Sequence, residues 1–402
     1  MKSLKEIYLS MMGCLALSGM ALACGPYGAN RGHEVEGGRI IHEPVTHENL
    51  SVFIISGKDV LGDEVDYVTL SEAMEKKWVV VHETGSVNQL SVENVTTSRT
   101  VVVLAGAVVK GGKQDRVLGQ DLVLNPKSGK VPIASFCVEQ SRWSKRGGES
   151  LDAFSGNSVQ VSGKALRKAV KGGFDQGRVW KEVANEQTKI SANVNADVKA
   201  NASPTSYQLA VENKELKKEI EAYKKRLSSI IEKYPNAIGY AVAINGEFST
   251  ADVYASQKLF RKTWGQHLES AITEAVSLKN KAKKDQKVDL SWRDELFKEK
   301  SYEQKVRQKT GGANDYLSEQ NGKFFRYNCL LKGEKKISLR QSFEKREKGE
   351  SLEKRQLGSE LQQQQLNLPN LPIQQRSIQR IESINIPLNN APHPEPQNEE
   401  RE

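Results

Sequence analysis

The chain has 402 residues, 37% hydrophobic and 27% charged, with a net charge of +9 and a mean hydropathy of −0.58. These values suit one sizeable core rather than a chain folded from end to end. No stretch beyond the N-terminus approaches the roughly 18 to 20 apolar residues of a membrane span, which excludes a polytopic helical membrane protein, and four cysteines without a CxxC pair exclude a disulfide-built mini-domain and speak against a structural zinc module.

Lys2 and Lys5 precede an apolar run from Ile7 to Ala23, which ends in Ala21-Leu22-Ala23 before Cys24. This is the order of a secretory signal. Residues 1–23 are expected to be removed and the mature chain to start at Cys24, either freely exported or lipidated on that thiol. The expected location is periplasmic or envelope-associated, with membrane anchoring through Cys24 as one outcome. Export would put Cys137 and Cys329 in an oxidising space where they could pair. Residues 24–48, with Gly25, Gly28, Gly32, Gly37 and Gly38 and little periodicity, read as a flexible tether.

Residues 49–345 read as a single domain. Leu50 to Ile55 is a β-branched and aromatic run, and Thr69 caps a short helix with Glu72 three residues on. Strands are predicted over Trp78 to His82, Gln89 to Asn94, Arg99 to Leu104, Val108-Val109, Arg116 to Leu124 and Lys130 to Val138. Val101 to Leu104 is unbroken apolar and suits a central strand. After Trp143 the text is loop-like. Ser203 followed by Pro204 predicts the start of a helix that carries Leu216, Ile220, Tyr223, Leu227 and Ile230 on one face and stops before Pro235. Ala237 to Ile244 and Phe248 to Tyr254 form a predicted hairpin on Asn245-Gly246, and a second helix runs from Ala255 to Leu278.

Residues 279–312 read as a charged insertion or solvated arm. Phe324 to Leu331 and Ile337 to Phe343 make a last strand pair. Residues 346–402, rich in Glu, Lys and Gln and then in Pro, bury too little apolar surface to offset ordering entropy and are expected to be disordered. The tail and the basic arm could recruit a protein partner. Strands first and helices later give an α+β fold, with a mostly antiparallel β-rich core in the N-terminal half and two long amphipathic helices and a hairpin in the C-terminal half.

Two charged segments interrupt the apolar β region. Lys110-Gly111-Gly112-Lys113-Gln114-Asp115-Arg116 joins glycines that let backbone N–H groups approach a ligand to cations that suit a phosphate or carboxylate. Cys137 to Trp143 places Glu139, Arg142 and Trp143 at the end of a strand. If the two segments meet, Lys110, Gly111, Gly112, Lys113, Gln114, Asp115, Arg116, Arg142 and Trp143 bind an anionic small molecule or modified polymer. A rival reading makes Glu139 a general acid or base, with Arg116 and Lys113 stabilising negative charge. A third makes the protein an envelope scaffold. Cys137 as a nucleophile would need a histidine, and His82 and His267 are the candidates in the folded part. The scattered histidines predict no metal, no nucleotide-binding loop or GxSxG elbow occurs, and no cofactor or specific nucleic acid is expected.

Val109 to Leu118, Phe136 to Trp143 and Ile238 to Gly246, taken in order with Asn49 to Phe53, Tyr67 to Ala73 and Val92 to Asn94, resemble the ADP-ribosylglycohydrolase (ARG) and rhodanese-phosphatase-superfamily-associated protein domain. The resemblance covers roughly residues 49 to 278 and extends toward 345. It implies no established activity, and by analogy with the company that names the family it suggests a phosphate-bearing ligand.

Overall fold

The computed structural model describes residues 32–140, 142–171, 176–279 and 287–352. The signal segment, Cys24 and the tail beyond residue 352 lie outside the described residues. The N-terminal strands are β1 (His33–Val35), β2 (Arg39–Ile41), β3 (Val45–His47), β4 (Leu50–Ser56), β5 (Tyr67–Thr69), β6 (Val79–His82), β7 (Gln89–Asn94), β8 (Thr100–Val103), β9 (Ala107–Gly111), β10 (Arg116–Leu118), β11 (Leu122–Leu124), β12 (Gly129–Cys137) and β13 (Phe154–Val161), with helix α1 (Leu70–Glu75) between β5 and β6. Helices α2 (Lys164–Lys171), α3 (Gln176–Val194), α4 (Tyr207–Val211) and α5 (Lys214–Leu227) follow. The hairpin β14 (Ala237–Ile244) and β15 (Glu247–Tyr254), helix α6 (Gln257–Ser277), the short α7 (Trp292–Leu296) and strands β16 (Gln304–Lys309), β17 (Asn314–Gln320), β18 (Phe324–Leu331) and β19 (Ser338–Lys345) complete the described chain.

These elements form an α+β protein with three sheets. A ten-stranded sheet runs β1-β2-β4-β14-β15-β19-β18-β17-β16, with β3 also paired to β4. A six-stranded sheet (β13-β9-β10-β12-β7-β6) and a three-stranded sheet (β11-β8-β5) make a second lobe. Every described pairing is antiparallel except β5 with β8. The widest sheet thus joins strands from both ends of the sequence, which strand prediction by local pattern alone does not convey.

Burial on both faces explains the near-continuous apolar text of β4 and β14, all of whose residues are buried. One face of the large sheet packs under α5 and α6 through Leu216, Ile220, Leu259, Phe260 and Ile272. The opposite face carries Phe53, Phe248, Phe324 and Phe343 and is covered by Trp292, Leu296 and Phe297 of the α7 region. The second lobe is filled by valines and leucines of its two sheets, with Val101 and Val103 of β8 at its centre. The β14–β15 turn places Asn245 and Gly246 at φ 51° and 77°, the left-handed pair that a two-residue hairpin needs.

Several expectations need correction. The tether does not extend to residue 48, because β1, β2 and β3 lie within it and add to the large sheet; Ile41 is fully buried there. The described part of 279–312 is neither insertion nor solvated arm, since Trp292, Leu296, Phe297 and Tyr302 bury against the large sheet and β16 pairs with β17. The helix placed after Ser203 is two: Ser206 caps α4 by accepting from the Leu209 N–H, and Asn213 caps α5. The text after Trp143 contains β13, α2 and α3. Cys137 and Cys329 are free and buried, in different sheets. The predicted tail boundary also shifts slightly, because Leu352 packs with Tyr316, Phe325 and Tyr327.

Candidate functional sites

Strand β10 brings the two charged segments together. It pairs with β9 on one side and β12 on the other, so Arg116 lies beside both Val109 and Cys137. Gly111 and Gly112 take φ values of 117° and 56° and turn the chain out of β9. Their turn serves the protein first: the Gly111 N–H donates to Asp115 Oδ1 at 3.2 Å, and a Cβ on Gly112 would stand 2.8 Å from the Phe154 ring.

Asp115 and Glu139 sit side by side with no exposure, each gripped by arginine. Arg142 Nη2 lies 2.7 Å from Glu139 Oε2 and 3.5 Å from Asp115 Oδ1. Arg146 forks onto both Asp115 oxygens at 3.1 Å, reaches Glu139 Oε1 at 3.4 Å and holds Glu149 at 2.9 Å. Burial alone would raise the Glu139 carboxyl, but hydrogen bonds from Arg142, Ser203 and the Asp115 N–H outweigh it and hold the group below its usual range. For Asp115 burial wins over the nearby Arg146, and its carboxyl is raised. Gln114 ties the segments by donating to the Glu139 carbonyl at 2.7 Å.

The remaining residues form an outer layer. Lys110 turns away to Glu212 at 2.5 Å. Trp143 is 47% exposed, with Lys113 Nζ 5.1 Å and Arg116 Cζ 5.7 Å from its ring centre. Beneath it Arg116 is fully buried. Its Nη1 donates to Gln114 Oε1 at 3.2 Å, whereas Nε and Nη2 find no hydrogen-bond acceptor and the Glu83 carboxylate stands 3.7 Å from Nη2. Arg142 Nε is likewise without an acceptor. Cys137 is a poor nucleophile here, since burial pushes its thiol up to about 11. His82 is engaged with Glu93 at 3.0 Å, and His267 belongs to a different cluster.

That second cluster, which the sequence reading missed, lies where the large sheet meets α2, α6 and the β10–β11 loop. Arg340 of β19 spans Asp252 of β15 and Asp121 of the loop, 2.7 Å from each. Tyr240 donates to Asp252 Oδ2 at 2.8 Å and touches His267 Nδ1 at 3.1 Å, while Tyr254 lies 2.6 Å from His267 Nε2. With the Tyr240 proton directed to Asp252, His267 Nδ1 donates to Tyr240. Burial pushes the imidazole down to about 3 against the opposing charge of Asp252, so the ring is neutral and Nε2 accepts from Tyr254. Burial would raise Asp252, but the guanidinium of Arg340 outweighs it and holds the carboxyl well below the usual carboxylate range.

Lys171 of α2 reaches Glu344 at 3.0 Å and stands 4.3 Å from the Tyr327 ring centre. Arg167, also on α2, donates to the Ser162 carbonyl at 2.7 Å and to Ser270 Oγ at 3.0 Å. The signal for this cluster was the alternation along β15 and β19, where Asp252 and Tyr254 share a face opposite Ala251 and Val253, and Arg340 and Glu344 share a face opposite Leu339 and Phe343. Asp121 had no such signal. Among the described residues, no group of three or more His, Cys, Asp or Glu is arranged to hold a metal ion.

Fold and sites together define an α+β protein of two β-rich lobes, with one buried arginine–carboxylate cluster inside the smaller lobe and another where the large sheet meets the helices and the loop. The chain belongs to the ARG and Rhodanese-Phosphatase-superfamily-associated Protein domain family, whose model matches residues 40–339. No curated protein and no solved structure matches the chain.

Proposed function

We propose that the protein is an exported binding module for an anionic, phosphate- or carboxylate-bearing ligand, taken up where Arg116, Lys113 and Trp143 meet. The observation that carries this reading is the pair of Arg116 donors, Nε and Nη2, buried under a half-exposed indole without an acceptor. A buried guanidinium donor left unmatched costs about 1 to 3 kcal/mol, and a two-oxygen anion is the group that relieves that cost in a fork geometry. Rotation of the Trp143 side chain admits the ligand, and Lys113 adds charge at the mouth. Export rests on the Lys2 to Cys24 pattern, with acylation of Cys24 as its anchored form.

Binding is favoured over hydrolysis by the state of Glu139. Its carboxylate is gripped by two arginines and held below its usual range, whereas a general acid or base working near neutral pH needs a shift upward, toward that pH. Thermal-shift titration of the full chain with inorganic phosphate, ADP and citrate tests the proposal. At least one should raise Tm in a saturable way. Lys113→Ala and Trp143→Ala, both at the outer layer, should each weaken that response several-fold, and Arg116→Lys should weaken it most. Unchanged responses in all three variants would remove this site.

A further inference from the structure

The six-stranded sheet curls until its two edge strands meet at one end. His82, the last residue of β6, bridges Ala153 beside β13, and the Glu83 N–H donates to the Asp152 carbonyl at 3.0 Å. The turn after β9 and the end of β12 lie at this same end, because Phe154 pairs with Gly111 and Arg116 with Cys137. Glu83 therefore joins the mouth that holds Arg116, with its side chain almost fully buried. Its Oε1 accepts from the Thr84 and Gly85 N–H groups, both at 3.1 Å. Its Oε2 accepts from the Lys113 N–H at 3.4 Å.

Three backbone donors from two loops thus already hold a carboxylate, in the manner of a backbone anion nest. Gly112 leaves the space for it, since a Cβ there would lie 3.1 Å from Glu83 Oε2 and 2.8 Å from the Phe154 ring. The fit is incomplete on one side. Attachment to its own strand keeps Oε2 3.7 Å from Arg116 Nη2, and Nη2 and Nε of that buried guanidinium find no acceptor.

We propose, building on the reading of Arg116 as part of a ligand site, that Glu83 is a built-in competitor: its carboxylate holds the nest in the unliganded protein, and the ligand is a carboxylate that displaces it. A ligand carboxylate is not fixed to β6, so it can take the same N–H groups and also close on Arg116 as a fork, with Glu83 turning out to solvent. Exchange of one carboxylate for another leaves the charge of this buried set unchanged. A phosphate dianion adds a charge, which is costly there, and brings oxygens that the bare Gly112 backbone and the Phe154 ring would crowd. The nest therefore selects carboxylate over phosphate, and displacement of Glu83 sets the affinity.

The test is thermal-shift titration of the full chain with sodium acetate, set against sodium chloride at equal ionic strength and inorganic phosphate. Glu83→Ala vacates the nest, so Tm should fall and acetate should restore it with saturation, at concentrations at least tenfold below any that act on wild type. Adding Arg116→Lys to Glu83→Ala should weaken that rescue about tenfold. Should Glu83→Ala not fold, Glu83→Gln carries the test: the neutral amide keeps the volume but competes less strongly, and acetate should again act at lower concentration than on wild type. Rescue no greater than that by chloride, rescue that Arg116→Lys leaves unchanged, or rescue by phosphate but not by acetate overturns the inference. The acetate rescue needs no natural ligand, so rescue beside a wild type that ignores phosphate, ADP and citrate upholds the nest and counts against the binding module alone.

Discussion

Arg340 is the residue on which the second cluster depends. Its guanidinium meets Asp252 from the neighbouring strand and Asp121 from the smaller lobe, so one side chain pairs with two buried carboxylates 131 positions apart in sequence, Asp121 to Asp252. Removing one partner of such a group leaves the others as uncompensated buried charges, which costs about 3 to 5 kcal/mol. Arg340→Met is therefore expected to lower the urea-unfolding free energy by about that amount. Arg340→Met in an Asp121→Asn, Asp252→Asn background should cost much less, because the carboxylates are gone. A single variant as stable as wild type would mean that the ion triad contributes nothing net.

At the scale of elements, α3 carries the next prediction. Val179, Val183 and Ile190 point inward, and so does Glu186. Burial, helped by the nearby Glu274 charge, pushes its carboxyl up from 4.5 to about 7. A folded-state value above the unfolded one means that the folded protein binds the extra proton between these limits. Glu186 thus contributes fully to stability below pH 4.5, and that contribution is lost as pH rises through 7. The loss amounts to at most about 3 kcal/mol. Glu186→Gln should flatten this part of the stability–pH curve and stabilise the protein at pH 8, as read by chemical denaturation. An unchanged slope between pH 5 and 7.5 would show that Glu186 does not titrate there.

The same helix shows where the sequence is legible and where it is not. Leu50–Ser56, Gln89–Asn94 and the Asn245-Gly246 hairpin are readable because apolar runs, alternation and turn chemistry are local, and α6 because its apolar face repeats. In α3 the inward stripe includes Glu186 and Gln187, so its apolar periodicity is diluted and the segment reads as loop. At the first site, sequence proximity to strand ends suggested that Arg116, Asp115 and Glu139 meet. It gave no hint of Arg146, which lies in a loop seven residues beyond Glu139 and closes both carboxylates off. Asp121 is harder still, because its partner is 219 positions away and only the docking of the lobes brings the two together.

The molecule as a whole is cross-tied at that docking. Besides Arg340 and Asp121, Asn314 donates to the Asp121 carbonyl at 3.1 Å and accepts from the Val123 N–H at 2.8 Å. The Ala313 N–H donates to the Val123 carbonyl at 2.7 Å. Polar ties that are buried between lobes favour joint unfolding, since separating the lobes would strand them without partners. Cys137 in the six-stranded sheet and Cys329 in the ten-stranded sheet report on the two lobes separately, both being buried and free. Alkylation at increasing urea, read peptide by peptide in the mass spectrometer, should label both along one transition, with opening free energies that agree within about 1 kcal/mol. Each rate is scaled to that of the same cysteine in the fully unfolded chain, which removes differences in intrinsic thiol reactivity. Labelling of Cys137 well before Cys329 would mean that the smaller lobe opens alone and that the ties through Asp121 and Asn314 do not couple it to the large sheet. Arg340→Met should move the two transitions apart, because it cuts the ionic tie through Asp121.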